Sequence, residues 1–299
     1  MSELPTEQRN PATTELDRGS SLDVLTMLND GDRTVADAVA AVLPALAELV
    51  DAAVAALRDG GSVHYFGAGT SGRLAVLDAA ELRPTFSLEP GRVVGHVAGG
   101  PPALTEAVED VEDDVEAGAA DAAGLGAGDV VIGVAASGRT PYVAGALRAA
   151  RERGAVTALL TNVPAPALAE HADHVVAAVT GPEVLTGSTR LKAGTATKLL
   201  LNSFSTAVMV RSGRTYSNLM VCLVAGNGKL HGRTLRILGE VTGLPQEQAR
   251  DLLTAADGDL PTALVSHLSG REPQRAREAL ARAGGSVRAA VEHLAAPAS

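Results

Sequence analysis

Two stretches decide the fold: VHYFGAGTSGRLAVLDAAEL at residues 63–82 and DVVIGVAASGRTPYVAGALRAARER at residues 129–153. Each opens with a short β-prone run, turns through small residues that include Ser-Gly-Arg, and continues as an apolar stretch at helical spacing. Residues 63–66 and 129–134 read as strands, and 74–82 and 142–153 as helices. Pro84 is expected to stop the first of these helices. Working outward, 92–97, 156–161 and 175–179 predict three more strands. Residues 35–57 predict a helix or a helix pair broken near Pro44, 103–116 a helix, and 189–211 one long helix. Apolar strands alternating with helices predict an α/β fold, a parallel sheet sandwiched by helices. Beyond Gly228, amphipathic segments separated by Gly and Pro predict a small C-terminal helical bundle over 233–294. The expected organisation is an N-terminal arm (1–34), an α/β domain (35–230) and a helical subdomain (231–299).

A chain of 299 residues suits one large domain or two of roughly 150. Its 46% hydrophobic content supplies a core and excludes global disorder. With three Tyr, three Phe and no Trp, that core must rest on Ala, Val and Leu. Scarce rings and a net charge of −10 argue against a nucleic-acid partner, by stacking or by phosphate contacts. Cys222 is the only cysteine, which excludes an internal disulfide and a multi-thiolate zinc site. The seven His show no ligand spacing, so no metal is assigned. The first thirty residues resemble neither a signal nor a transit peptide, and no apolar run reaches the ~20 residues of a membrane span. A cytoplasmic protein without a membrane partner is expected.

Gly67-Ala68-Gly69-Thr70-Ser71-Gly72 fits the G-x-G-x-x-G pattern after a strand. Dinucleotide binding would want an acid ending the next strand to hold the ribose, and 92–97 has none. A phosphate cradle accounts for more. Small residues let the backbone approach an anion, hydroxyls of Thr70 and Ser71 donate to it, and the helix start favours negative charge. Ser137, Arg139 and Thr140 repeat the arrangement at the end of another predicted strand, where α/β sheets bind ligands. A bare turn would explain the glycines but not both serines. Among the carboxylates, Glu106 to Glu116 crowd one predicted helix and read mostly as a solvated face. Glu81 differs: either the apolar neighbours of LAVLDAAEL raise its pKa and suit it to act as a general acid, or it is an exposed residue at the helix C-terminus. Ser188, Thr189, Arg190 and Lys192 open the long predicted helix, either as sugar or phosphate contacts or as part of an ordinary cap from Ser188 or Thr189.

Three segments carry a family resemblance: YFGAGTSGRLAVLDAAELRPTF (65–86), GPEVLTGSTRLKAGTATKLLLNSFSTAVMVRSG (181–213) and TEQRNPAT (6–13). They resemble the N-acetylmuramic acid 6-phosphate etherases, a family of the sugar-isomerase (SIS) phosphosugar-binding fold related to glucokinase regulatory protein. The resemblance implies cleavage of a D-lactyl ether without a cofactor, on a small phosphosugar, by a homodimer. It places the family's acid on Glu81, within DAAELRPTF, and its second carboxylate on Glu112, within EAVEDVEDD. It also adds Glu183 and Lys229 to the substrate-contacting set. Leu82 and Arg83 stand where the family often has Cys and Pro. Two rivals share the fold: an aldose–ketose phosphosugar isomerase, and a non-catalytic sugar-phosphate-binding regulator. Retention of both carboxylates disfavours the regulator.

Overall fold

The computed structural model describes residues 4–222 and 228–296, apart from the side chains of 228–231. The chain divides into two compact units, Met1–Ala80 with Gly91–Ser205 and Glu81–Pro90 with Thr206–Ser299.

The first unit is built on five parallel strands: β1 (Val63–Gly67), β2 (Val93–Val97), β3 (Val130–Val134), β4 (Val156–Thr161) and β5 (His174–Ala177). Their order is β2-β1-β3-β4-β5, with Val63 paired to Val93 on one side and Val130 on the other. β3 is buried at all five positions, as a central strand covered on both faces must be, whereas the edge strand β2 is largely half-buried. The helices are α1 (Ser21–Asp32), α2 (Val35–Ala40), α3 (Leu43–Arg58), α4 (Gly69–Phe86), α5 (Val115–Asp121), α6 (Pro141–Glu152) and α7 (Lys192–Arg211). α4 and α7 continue into residues of the second unit.

Phe66, Val131, Tyr142, Leu147 and Leu159 form a core with α6 on one face of the sheet. Elsewhere the buried Asp78 carboxylate accepts from Tyr65 Oη (3.1 Å) and Ser205 Oγ (2.9 Å), tying β1, α4 and α7 together. Burial pushes the pKa of Asp78 up, against the pull of these hydrogen bonds and of Lys198. Five of the six aromatic residues are buried.

Residues 35–57 form the expected pair, broken just before Pro44, which lies in the first turn of α3, where its missing N–H costs nothing. Three sequence expectations change. α4 passes through Pro84 to Phe86 and ends at Ser87, whose N–H bonds Arg83 O (3.0 Å). So near a terminus the lost hydrogen bond is tolerated. α7 starts at Lys192 rather than 189. Residues 103–116 do not form one helix. Single 3₁₀ turns at Pro101–Leu104 and Val111–Asp113 flank a non-helical stretch, Asp110 is left-handed (φ 62°), and α5 begins only at Val115. Like charges three and four residues apart oppose a helix there, and Asp114 instead caps α5 by accepting from Ala117 N (2.8 Å).

The second unit holds β6 (Thr215–Tyr216), β7 (Leu219–Met220) and helices α8 (Gly228–Thr242), α9 (Gln246–Ala255), α10 (Leu260–Ser269), α11 (Pro273–Arg282) and α12 (Val287–Ala295). Leu238, Leu253, Leu264, Leu280 and Val287 are its core, a helical bundle as the Gly and Pro punctuation implied. Among the described residues no single helix is long and apolar enough to cross a membrane. None of them gather as three or more metal-ligating side chains.

Candidate active site

A cleft of about 500 Å³ opens in the first unit at the carboxyl ends of β1 and β3. Both walls derive from the repeated turn. After β1, Gly67 and Gly72 approach so closely that a Cβ on Gly72 would lie 2.5 Å from Gly67 O. Only glycine permits that contact, and it sets Thr70 and Ser71 in the first turn of α4, lining the cleft. After β3, Gly138 takes φ +64° against Pro166, and α6 begins at Pro141. Ser137, Arg139 and Thr140 line the cleft from this side. The hydroxyls of Thr70, Ser71, Ser137 and Thr140 make no hydrogen bond to the protein among the described residues, so all four can donate to a ligand. Arg139 is exposed and is the single cation among the described lining residues.

The two Ser-Gly-Arg triplets diverge at their arginines. Arg73 turns away to donate to Ala103 O (2.8 Å) and Glu106 O (2.7 Å), pinning the loop that leads to the acidic segment. That segment is held further by α5 on α6, where Gly118 and Gly145 bring the two backbones together. Glu112 and Asp113 line the cleft from the resulting 3₁₀ turn.

The remaining sequence candidates lie as follows. Glu81 belongs to the second unit and is exposed. Its apolar neighbours in sequence do not enclose it, because Leu82 and Phe86 take the buried face of α4. Glu183 is fully buried and caps α7, accepting from Lys192 N and Ala193 N at 2.9 Å each. Burial raises its pKa, opposed by the two N–H bonds and the Lys192 charge. Lys192 is also buried, and its Nζ donates to Pro182 O (3.0 Å). Ser188 and Arg190 do not line the cleft; Thr189, Gly194 and Thr197 do. The side chain of Lys229 lies outside the described residues. Sequence reading placed Thr189 in the polar set at the helix start but missed Thr197, which lies about one turn beyond Gly194 in α7. It also missed Glu7, for which a polar arm gives no signal.

Comparison with known proteins agrees with this geometry. Residues 45–151 match the family model of the glucokinase regulatory protein N-terminal SIS domain, and residues 103–207 match the SIS domain. Among solved structures, a chain from Escherichia coli CFT073 superposes with a TM-score of 0.50 at 18% identity, covering 67% of this chain and 97% of that one. A Bacteroides fragilis chain involved in capsule formation gives the same TM-score at 20% identity, over 64% of this chain and 92% of that one. At such identities they speak to the fold. The N-acetylmuramic acid 6-phosphate etherase of Yersinia pestis (strain Pestoides F) is 50% identical over 96% of this chain and 98% of its own. The Thermobifida fusca (strain YX) protein of the same name is 57% identical over 89% of this chain and 87% of its own. The chain therefore belongs to the N-acetylmuramic acid 6-phosphate etherase family.

Proposed function

We propose that this protein cleaves the D-lactyl ether of N-acetylmuramic acid 6-phosphate, giving N-acetylglucosamine 6-phosphate and D-lactate. One observation carries the assignment beyond family membership: Glu112 lines the same cleft as the four unpartnered hydroxyls of the paired turns. The hydroxyls and Arg139 hold the phosphate, and the carboxylate is left for the carbons.

An ether oxygen at C3 leaves poorly unless the C2 proton departs with it. Ring opening exposes the C1 aldehyde, which acidifies C2. Glu112 removes that proton while Glu81 protonates the departing lactate oxygen. Water then adds to C3 of the unsaturated aldehyde with the two roles reversed. Each acid or base contribution of this kind is typically ~10²–10⁴-fold. Phosphate capture holds the open chain in register with the base. The role of Glu81 rests on the family resemblance. Glu183 and Lys229 remain candidate contacts on the same ground, and Ser188, Arg190 and Lys192 on their place at the start of the long helix.

The same resemblance supports a homodimer acting in recycling or uptake of wall sugars, and the polar, mixed-charge N-terminal arm supports a cytoplasmic one. A monomeric mass in solution at working concentration would remove the dimer from the account. The test of the activity is incubation with N-acetylmuramic acid 6-phosphate and enzymatic measurement of D-lactate. Release by the wild type and loss in Glu112→Gln are expected. No D-lactate from the wild type would end the assignment.

A further inference from the structure

The arm that precedes α1 is polar in sequence, yet it is clamped to the first unit. Pro5–Glu7 forms a 3₁₀ turn in which Thr6 is 0% exposed. Further along, Thr13 Oγ1 donates to Val184 O (2.8 Å). Between these two anchors Glu7 lines the cleft. Its Oε2 lies 3.5 Å from where a Cβ on Gly187 would stand, so the carboxylate rests against the Gly187 turn. No hydrogen bond or ion pair engages this carboxylate among the described residues. Glu7 is itself exposed, so its carboxylate is solvated in the free protein and open to a ligand that enters the cleft.

The chemistry of that partner follows from what a carboxylate can do. An ionised carboxylate only accepts hydrogen bonds, and it repels a phosphate. The donors that would hold phosphate sit on the two strand-end turns, so Glu7 serves another part of the molecule. On a phosphorylated amino sugar the neutral donors are the ring hydroxyls and the acetamido N–H. We infer that Glu7 accepts a hydrogen bond from one of these and is a specificity-determining residue for the sugar, separate from the phosphate contacts. This rests on the phosphosugar reading of the cleft given above.

Calorimetric titration of the full chain separates the two. The ligands are N-acetylglucosamine 6-phosphate and inorganic phosphate, and the variants are Glu7→Ala and Glu7→Gln. Losing a hydrogen bond to a charged acceptor should weaken N-acetylglucosamine 6-phosphate about ten- to hundredfold in Glu7→Ala. Glu7→Gln, whose amide oxygen still accepts, should fall between wild type and Glu7→Ala. Inorganic phosphate should bind all three proteins within about twofold, as a site built from other residues requires. Unchanged sugar-phosphate affinity in Glu7→Ala would overturn the inference. So would a parallel loss of phosphate affinity, which would mean that Glu7 merely supports the cleft. Failure of the wild type to bind either ligand overturns it as well. A wild type that binds selectively through Glu7 but releases no D-lactate would refute the etherase reading and leave this one standing.

Discussion

Gly118→Ala should cripple the enzyme although the residue touches no ligand. A Cβ at position 118 would stand 1.9 Å from Tyr142 O, and one at Gly145 would stand 1.9 Å from Val115 O. These glycines mark the crossing of α5 on α6, where backbone meets backbone. Reaching an ordinary contact of about 3.5 Å would require the helices to separate by roughly 1.5 Å. In an open helix Ala is preferred to Gly by ~0.5–1 kcal/mol. Overpacking against a backbone that cannot rotate away costs ~1–3 kcal/mol, so the net effect is destabilising by about 1–2 kcal/mol. Catalysis should suffer more, because α5 follows directly on the turn that presents Glu112. A displacement of about 1 Å at a reacting group is typically worth ~10²-fold. The assay is a urea midpoint beside kcat/KM for Gly118→Ala, with Gly232→Ala as control. Position 232 lies within α8, and no atom within 4 Å would meet its Cβ. The control should be neutral or stabilised. A Gly118→Ala protein as stable as wild type would refute the reasoning.

Ser71→Ala and Ser137→Ala should each raise KM chiefly, since every charge-assisted hydrogen bond to phosphate is worth ~1.5–3 kcal/mol, or about 10- to 150-fold. Unchanged affinity in both would remove the turns from the site. Stability should also fall on acidification from pH 6.5 toward 4. His96 Nε2 lies 2.9 Å from His64 Nδ1, His64 Nε2 lies 2.9 Å from Ser62 Oγ, and Ser62 Oγ donates to Asp129 (2.7 Å). This chain assigns the His64 proton to Nε2, so a second proton on Nδ1 would face the N–H of His96. Burial first, and His96 second, push the His64 pKa down to about 4, against an opposing pull from Asp129. The unfolded chain, near 6.5, binds more protons in this window, so its contribution to stability is complete above 6.5 and lost as pH falls through 4. The urea midpoint of His64→Gln should therefore change less across the window than that of wild type; equal slopes would contradict the assignment.

Strands and paired turns were legible because an apolar run ending in glycines has few other interpretations. Gly67, Gly72 and Gly138 are forced by backbone contacts or left-handed geometry, and such requirements are written locally. What escaped was set by partners distant in sequence. Glu183 caps α7 from nine residues upstream, which moved the helix start past Ser188 and brought Thr189, not Arg190, to the cleft. The acidic segment looked helical by composition. Its charge repulsion and the Asp114 cap broke it into a turn and a short helix. That turn is what exposes Glu112. Glu7 reaches the cleft only because Thr6 is buried by structure that follows it in the chain.

The central claim is elimination of lactate followed by addition of water to C3. Reaction of N-acetylmuramic acid 6-phosphate in heavy-oxygen water, with mass spectrometry of both products, tests it most directly. If Glu112 takes the C2 proton and the lactyl C–O bond at the sugar breaks, the label must appear on N-acetylglucosamine 6-phosphate. The released D-lactate then keeps its original ether oxygen. Glu112→Gln should yield neither product, and Glu81→Gln should block lactate release. Label on the lactate would mean that water attacked the lactyl carbon, and it would contradict the elimination.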